Sequence, residues 1–165
     1  MKTLYLIRHA KSDWSDGTLS DFDRPLNKRG EKNAPLMGKV LSSRGVRPDL
    51  ILSSPALRAR TTAAILAENV GYSAERIVYE GDLYLAEAET IAEVLRNLPS
   101  PVQTVFLIGH NPGLTLFAEY ITGRAIGNIP TCGIAELVLT AQDFGRGSAT
   151  LASFDYPKNH LRHQT

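Results

Sequence analysis

Leu4-Tyr5-Leu6-Ile7-Arg8-His9-Ala10 is a short apolar run that breaks off into a cation, an imidazole and a small residue. An uninterrupted apolar stretch of this length fits a strand buried on both faces of a parallel sheet. Arg8 and His9 then stand at its carboxyl end, the edge at which open α/β sheets gather their ligands. A guanidinium offers a planar fork to phosphate or carboxylate, and an imidazole beside it can act as nucleophile, acid or base. Taken alone, the stretch is as compatible with a strand that merely ends in polar residues, so the rest of the chain decides.

Thr104-Val105-Phe106-Leu107-Ile108-Gly109-His110 repeats the pattern, apolar throughout and again ending in a histidine. Between the two runs, strand and helix signals alternate. Residues 11–24 are polar and read as a loop. Asn27 is placed to cap a helix over 28–43, with Ala34, Met37, Val40 and Leu41 at helical spacing and Pro35 as its one irregular member. A second strand over 49–53 leads through Ser54-Pro55 into a helix over 57–70, with Thr61, Ala64, Ile65 and Ala67 turned to the sheet and Gly71 as its stop. A third strand is expected at 76–80, an amphipathic helix at 87–98 and, after the second histidine, a helix at 114–122. Strands near 133–140 and 149–156 flank Gly145-Arg146-Gly147 and predict a terminal hairpin, and 157–165 reads as an exposed polar tail. The alternation predicts a single α/β domain over 1–165, a three-layer sandwich with a largely parallel central sheet and helices on both faces.

A chain of 165 residues can bury a substantial core, and 43% hydrophobic with 21% charged residues is ordinary for a globular protein. A formal net charge of +1 carries no polyanion signature, so no nucleic-acid partner is expected. A single cysteine, Cys132, excludes an intrachain disulfide and fits a reducing compartment. The first apolar run is too short to span a membrane, and Arg8-His9 interrupts what a signal peptide would need as its core. The expectation is a cytoplasmic protein with no membrane partner. His160 and His163 have no cysteine or carboxylate cluster to complete a metal site and read as part of the exposed tail.

Three strand ends share one edge of such a sheet: Arg8-His9, the segment from Ser54 to Thr62 with Arg58, and Gly109-His110-Asn111-Pro112. Two arginines and two histidines there would make an anion-selective pocket, and helix N-termini would add backbone N–H donors. Arg8-His9-Ala10 resembles the Arg-His-Gly signature of the histidine phosphatase superfamily, the phosphoglycerate-mutase-like fold. The segment from Ser54 to Thr62 resembles that family's second-arginine motif, Gly109-His110-Asn111 its second-histidine motif, and Arg24-Pro25-Leu26-Asn27-Lys28-Arg29-Gly30 its turn into the first helix. The match runs from residue 4 to about 122 in the family's order. The short chain and the Arg-Pro-Leu turn are most similar to SixA-type phosphohistidine phosphatases.

The resemblance implies that His9 is a nucleophile that takes up the phosphoryl group and loses it to water, dividing one displacement into two. It implies that Arg8 and Arg58 clamp the phosphoryl oxygens and that His110 hydrogen-bonds the same group. His9 then needs an acceptor on its second ring nitrogen, such as a backbone carbonyl, to fix its tautomer. Ala10 stands in place of the signature glycine, which a negative φ would permit. Ser15 falls where many relatives carry a phosphate-contacting asparagine. Mutases and many phosphatases of the family place an acid after the third strand; Glu80, Asp82, Glu87 and Glu89 lie in that region without a clean motif.

An imidazole protonated on its other nitrogen leaves neutral, whereas an alkoxide needs a proton in the transition state. The unclear acid therefore leans towards an N–P substrate. From 80 to 101 there is room for one helix and a short loop, where the resemblance implies that longer relatives insert a lid, and the short connection suggests an open pocket suited to a phosphorylated protein side chain. Lys11, Arg24, Lys28 and Arg29 could rim the pocket but read more readily as solvated charges. Arg60 reads as salt-bridged or solvated, Cys132 as inert, and Trp14 as packing over or shielding the active-site loop. Together these features predict a phosphatase that works through His9, most fittingly on phosphohistidine-bearing protein. It would need no metal or organic cofactor, because two arginines do the charge work. The alternatives are a broad phosphomonoesterase acting on small phosphorylated metabolites and a non-catalytic module that binds phospho-ligands.

Overall fold

The first apolar run forms strand β1 (Thr3–Arg8), with Leu4 to Ile7 buried. The computed structural model of the protein describes residues 1–99 and 101–161. In it β1 lies inside a six-stranded sheet with β2 (Leu50–Ser53), β3 (Val78–Tyr79), β4 (Thr104–Gly109), β5 (Ile134–Leu139) and β6 (Ala149–Asp155), in the order β3-β2-β4-β1-β5-β6. β3, β2, β4 and β1 pair in parallel. β5 is antiparallel to both β1 and β6, so it alone runs against the rest. The largely parallel sheet and the terminal hairpin are as the sequence predicts.

Strand alternation sends successive side chains to opposite faces. Tyr5 and Ile7, with Ile51, Phe106 and Ile108, pack against α1 (Lys28–Ser43) and α2 (Leu57–Val70). Leu4 and Leu6, with Leu52, Val105 and Leu107, pack against α3 (Ala88–Arg96) and α4 (Gly113–Thr122). Two cores thus flank one sheet, and β1 and β4 contribute to both. Leu6 is fully buried, and its truncation to alanine would cost about 2–5 kcal/mol.

Several elements match their sequence signals residue for residue. Asn27 caps α1 by accepting from the Gly30 N–H at 2.8 Å, and Pro35 is carried inside the helix. Gly71 ends α2 in the left-handed conformation. Other expectations need correction. The buried face of α2 is Ala59, Ala63, Leu66, Ala67 and Val70, with Thr61, Ala64 and Ile65 only half-buried. The helix is rotated because Arg58 and Thr62, polar in sequence, are buried as well. The third strand is two residues long, since residues 74–76 form a 3₁₀ turn instead. The polar tail starts with a buried Pro157 and a helical turn, α5 (Lys158–Leu161), where His160 Nε2 meets Asp155 Oδ2 at 2.8 Å. His163, the other half of the histidine pair, lies outside the described residues.

The chain leaves β1 through α1 towards β2, and leaves β4 through α4 towards β5, on the opposite side. Neighbouring strands whose connections diverge open a crevice at their carboxyl ends. The register pairs Arg8 with Gly109, so His9 and His110 emerge side by side into that crevice.

Candidate active site

A cleft of about 500 Å³ opens at this edge, and Arg8, His9, Arg58 and His110 all line it. The two imidazole centroids are 5.1 Å apart. His9 Nδ1 lies 2.7 Å from the Ala10 carbonyl oxygen. A carbonyl only accepts, so Nδ1 carries the proton and Nε2 keeps its lone pair. Burial pushes the His9 pKa down to about 4; the charges of Arg58, Arg8 and Arg24 add to this, and the Ala10 carbonyl opposes it. His9 is therefore a neutral base at pH 7.

Ala10 is buried, and its N–H donates to Thr62 Oγ1 at 2.9 Å. It is not among the non-glycine residues at positive φ, which are Leu85, Cys132 and Phe144 among the described residues. The alanine in place of glycine therefore strains nothing. Thr62 Oγ1 in turn donates to the Arg58 carbonyl at 2.8 Å, tying α2 to the loop that follows β1.

Arg58, in the first turn of α2, is 3% exposed. Its Nη1 donates to the Asp21 carbonyl at 2.6 Å and its Nη2 to Asp21 Oδ2 at 3.0 Å. Asp21 lies in a 3₁₀ turn (Asp21–Asp23) of the loop after β1, and Tyr84 donates its hydroxyl to the same Oδ2. Slight burial would raise the Asp21 pKa, but the hydrogen bonds from Tyr84 and Arg58 and the charges of Arg58 and Arg24 prevail, holding it below the usual carboxylate range.

His110 Nε2 sits 2.7 Å from Ser54 Oγ, while its Nδ1 faces Arg58 Nη2 at 3.5 Å. Burial, His9 and Arg58 together push its pKa down to about 3. The Tyr84 ring meets His110 edge-on at 5.6 Å. Arg8 is half-buried and anchored by Nη1 to the Ile129 carbonyl at 3.2 Å.

The remaining sequence candidates fall elsewhere. Ser15 is exposed and outside the cleft lining; Ser12, three positions earlier and buried, is part of it. Glu80 and Asp82 line a different depression beside β2 and α3. Glu87 is exposed at the start of α3, and Glu89 pairs with Arg96 at 3.2 Å. The wall after β3 is instead supplied by Leu85. Asp21 is the one carboxylate in the cleft lining among the described residues.

Arg24 is not a solvated charge: it is 6% exposed, lies over the Trp14 ring and donates from Nη2 to Ser12 Oγ at 2.6 Å. Trp14 itself is exposed and lines the cleft. Arg60 stacks on Tyr79. Cys132 is buried, with its thiol pKa pushed up to about 12 by burial, as suits an inert residue. Asp21, Ser54 and Tyr84 had no role in the sequence reading. Ser54 opens the second-arginine motif and was the most traceable of the three.

A model of the histidine phosphatase superfamily (branch 1) matches residues 4–102. The chain belongs to this superfamily. An uncharacterised chloroplastic protein of Arabidopsis thaliana is 37% identical over 144 residues, covering 82% of this chain and 66% of the relative. This chain thus spans just under two thirds of that relative. A solved structure from Agrobacterium tumefaciens, assigned as the phosphohistidine phosphatase SixA, superposes with a TM-score of 0.82 at 33% identity over 94% of this chain and 98% of that one. The protein histidine phosphatase SixA in complex with tungstate shares the fold at a TM-score of 0.84 and 22% identity, over 95% and 98% of the two chains. Among histidine phosphatases, the protein is SixA-like in fold. No described helix is long and apolar enough to cross a membrane.

Proposed function

We propose that the protein is a phosphatase that removes the phosphoryl group from phosphohistidine in proteins through a covalent intermediate on His9. His9 Nε2 attacks phosphorus, the bond from phosphorus to the substrate imidazole breaks, and that imidazole departs with the electron pair. With its other nitrogen protonated, it leaves neutral. Water then attacks phosphorus, the bond to His9 Nε2 breaks, and inorganic phosphate is released. Arg8 and Arg58 hold the phosphoryl oxygens, and His110, beside His9, adds a hydrogen bond to the same group.

The observation that carries this reading is the donor inventory of the cleft. Its one carboxylate among the described residues, Asp21, is paired with Arg58 and kept ionised. A leaving group that requires a proton is poorly served there, and a neutral imidazole is well served. Residues 80–87 wrap one side as a short turn and loop, with no inserted lid, which suits a side chain on a macromolecule. The A. tumefaciens likeness supports the same class.

Brief reaction with a ³²P-labelled phosphohistidine protein should yield an acid-labile, alkali-stable phosphoenzyme in the wild type and none in His9→Ala. Label retained by His9→Ala would refute the covalent step. Turnover of simple phosphate esters far faster than phosphohistidine protein would refute the substrate class in favour of a general phosphomonoesterase.

A further inference from the structure

Charge is unevenly placed on this molecule. The whole chain carries 18 basic and 17 acidic residues. In the lining of the catalytic cleft, by contrast, Arg8, Lys11, Arg24 and Arg58 face a single acid, Asp21. Beyond one wall of that cleft lies a second, smaller cleft of about 180 Å³ that shares Pro130 and Thr131 with it. Arg29, at the start of α1, and Lys158, at the start of α5, line the second cleft, and no acidic residue does. Both are exposed, as is Lys11, and none of the three enters an ion pair among the described residues. Of the neighbouring acids, Glu31 is exposed and lines neither cleft, and two others are already engaged. Asp155 accepts from Asn159 and faces His160 at 2.8 Å, and Asp21 holds Arg58.

Catalysis on a phosphoryl group needs positive charge at the phosphate, but Arg29 and Lys158 lie beyond the Pro130–Thr131 wall from it. Unpaired cations concentrated there raise the local density of anionic partners and orient their approach. We propose that the two clefts form one docking groove for an acidic segment of the phosphorylated protein, with the phosphoryl group in the His9 cleft and the flanking acids crossing the Pro130–Thr131 wall onto Arg29 and Lys158. This rests on the phosphohistidine-protein reading and names which surface of such a partner the enzyme selects.

Two synthetic phosphohistidine peptides test it, identical except that one carries three glutamates beside the phosphohistidine and the other three glutamines. The wild type should show a KM about fivefold lower for the glutamate peptide at low salt, the size expected of a pair of exposed ion contacts. The preference should shrink in 0.5 M NaCl, because surface charges are screened. In Arg29→Gln/Lys158→Gln, the ratio of the two KM values should fall to about one. Equal KM values in the wild type, or a preference that survives the double substitution, would overturn the groove while leaving the function intact. Hydrolysis of neither peptide, with phosphate esters still turned over, would instead remove the phosphohistidine reading on which it rests.

Discussion

Asp21 holds Arg58 at two points, by its carbonyl oxygen at 2.6 Å from Nη1 and by Oδ2 at 3.0 Å from Nη2. Arg58 is 3% exposed and its guanidinium has given up most of its water. These bonds to Nη1 and Nη2 offset part of that loss and aim the group, while Nε has no partner among the described residues. Asp21→Ala would remove the side-chain half of this hold and let Arg58 swing away from the phosphoryl position. We expect kcat/KM to fall by roughly 10²-fold, the cost of losing one preorganised donor. Because Asp21 acts through Arg58, Asp21→Ala/Arg58→Ala should be no slower than Arg58→Ala alone. Losses that multiply in the double variant would show that the two residues act independently.

The protonation state of His9 follows from its surroundings. Burial and three arginines penalise the imidazolium, so its pKa lies near 4 rather than at the ordinary histidine value. A lowered pKa means that the neutral ring prevails at every pH above about 4. In ¹⁵N-histidine NMR of the free enzyme, with His9 assigned by His9→Gln, the ring should stay neutral, with Nδ1 protonated, from pH 8 down to about 5. An imidazolium spectrum for His9 at pH 6.5 would contradict both the pKa direction and the assignment of Nε2 as a standing nucleophile.

Ser54 is poised to set the donor state of His110. Its Oγ accepts from the Ala56 N–H at 3.3 Å and lies 2.7 Å from His110 Nε2. A hydroxyl can give or receive, so it can support His110 with the proton on either nitrogen. On the proposed mechanism, in which a phosphoryl oxygen approaches Nδ1, the Ser54 O–H would donate to Nε2 and leave Nδ1–H as the donor. Ser54→Ala removes that option and should lower kcat by about tenfold while changing KM little, because the bond matters most as charge builds in the transition state. A rise in KM with kcat unchanged would assign Ser54 to ground-state binding instead.

The sequence made the frame of this molecule legible where local chemistry and packing agree. Asn27 caps and Gly71 stops helices whose observed limits equal the expected ones. The apolar runs before His9 and His110 are the two central strands. Legibility failed where a polar residue is buried. Arg24 read as solvent-facing because nothing in its neighbourhood announced Ser12 and Trp14 as its partners across the loop. Thr62 and Arg58 displaced the apolar face of α2, since periodicity counts hydrophobic residues and both are polar. Asp21 sits in a polar stretch with Asp13, Asp16 and Asp23, and only the return of the chain past α2 singles it out. A site made by contacts between distant segments is visible as residue types but not as pairings.

Gly30 tests how closely α1 must approach the loop that bears His9. The Asn27 N–H donates to the Lys11 carbonyl at 3.0 Å, and a Cβ added at Gly30 would run into that same carbonyl oxygen. Alanine raises helix propensity by about 1 kcal/mol over glycine, but overpacking against a backbone atom costs about 1–3 kcal/mol. The overlap with Lys11 is with main chain, which cannot rotate away, so the steric cost prevails. Gly30→Ala should lower Tm by about 3–6 °C, given the size of the chain. Since Lys11 directly follows Ala10, whose carbonyl fixes the His9 tautomer, kcat should fall as well. Gly17→Ala is the control, because a Cβ there meets nothing within 4 Å. A Gly30→Ala variant as stable and as active as Gly17→Ala would mean that the approach of α1 to Lys11 does not constrain the loop bearing His9.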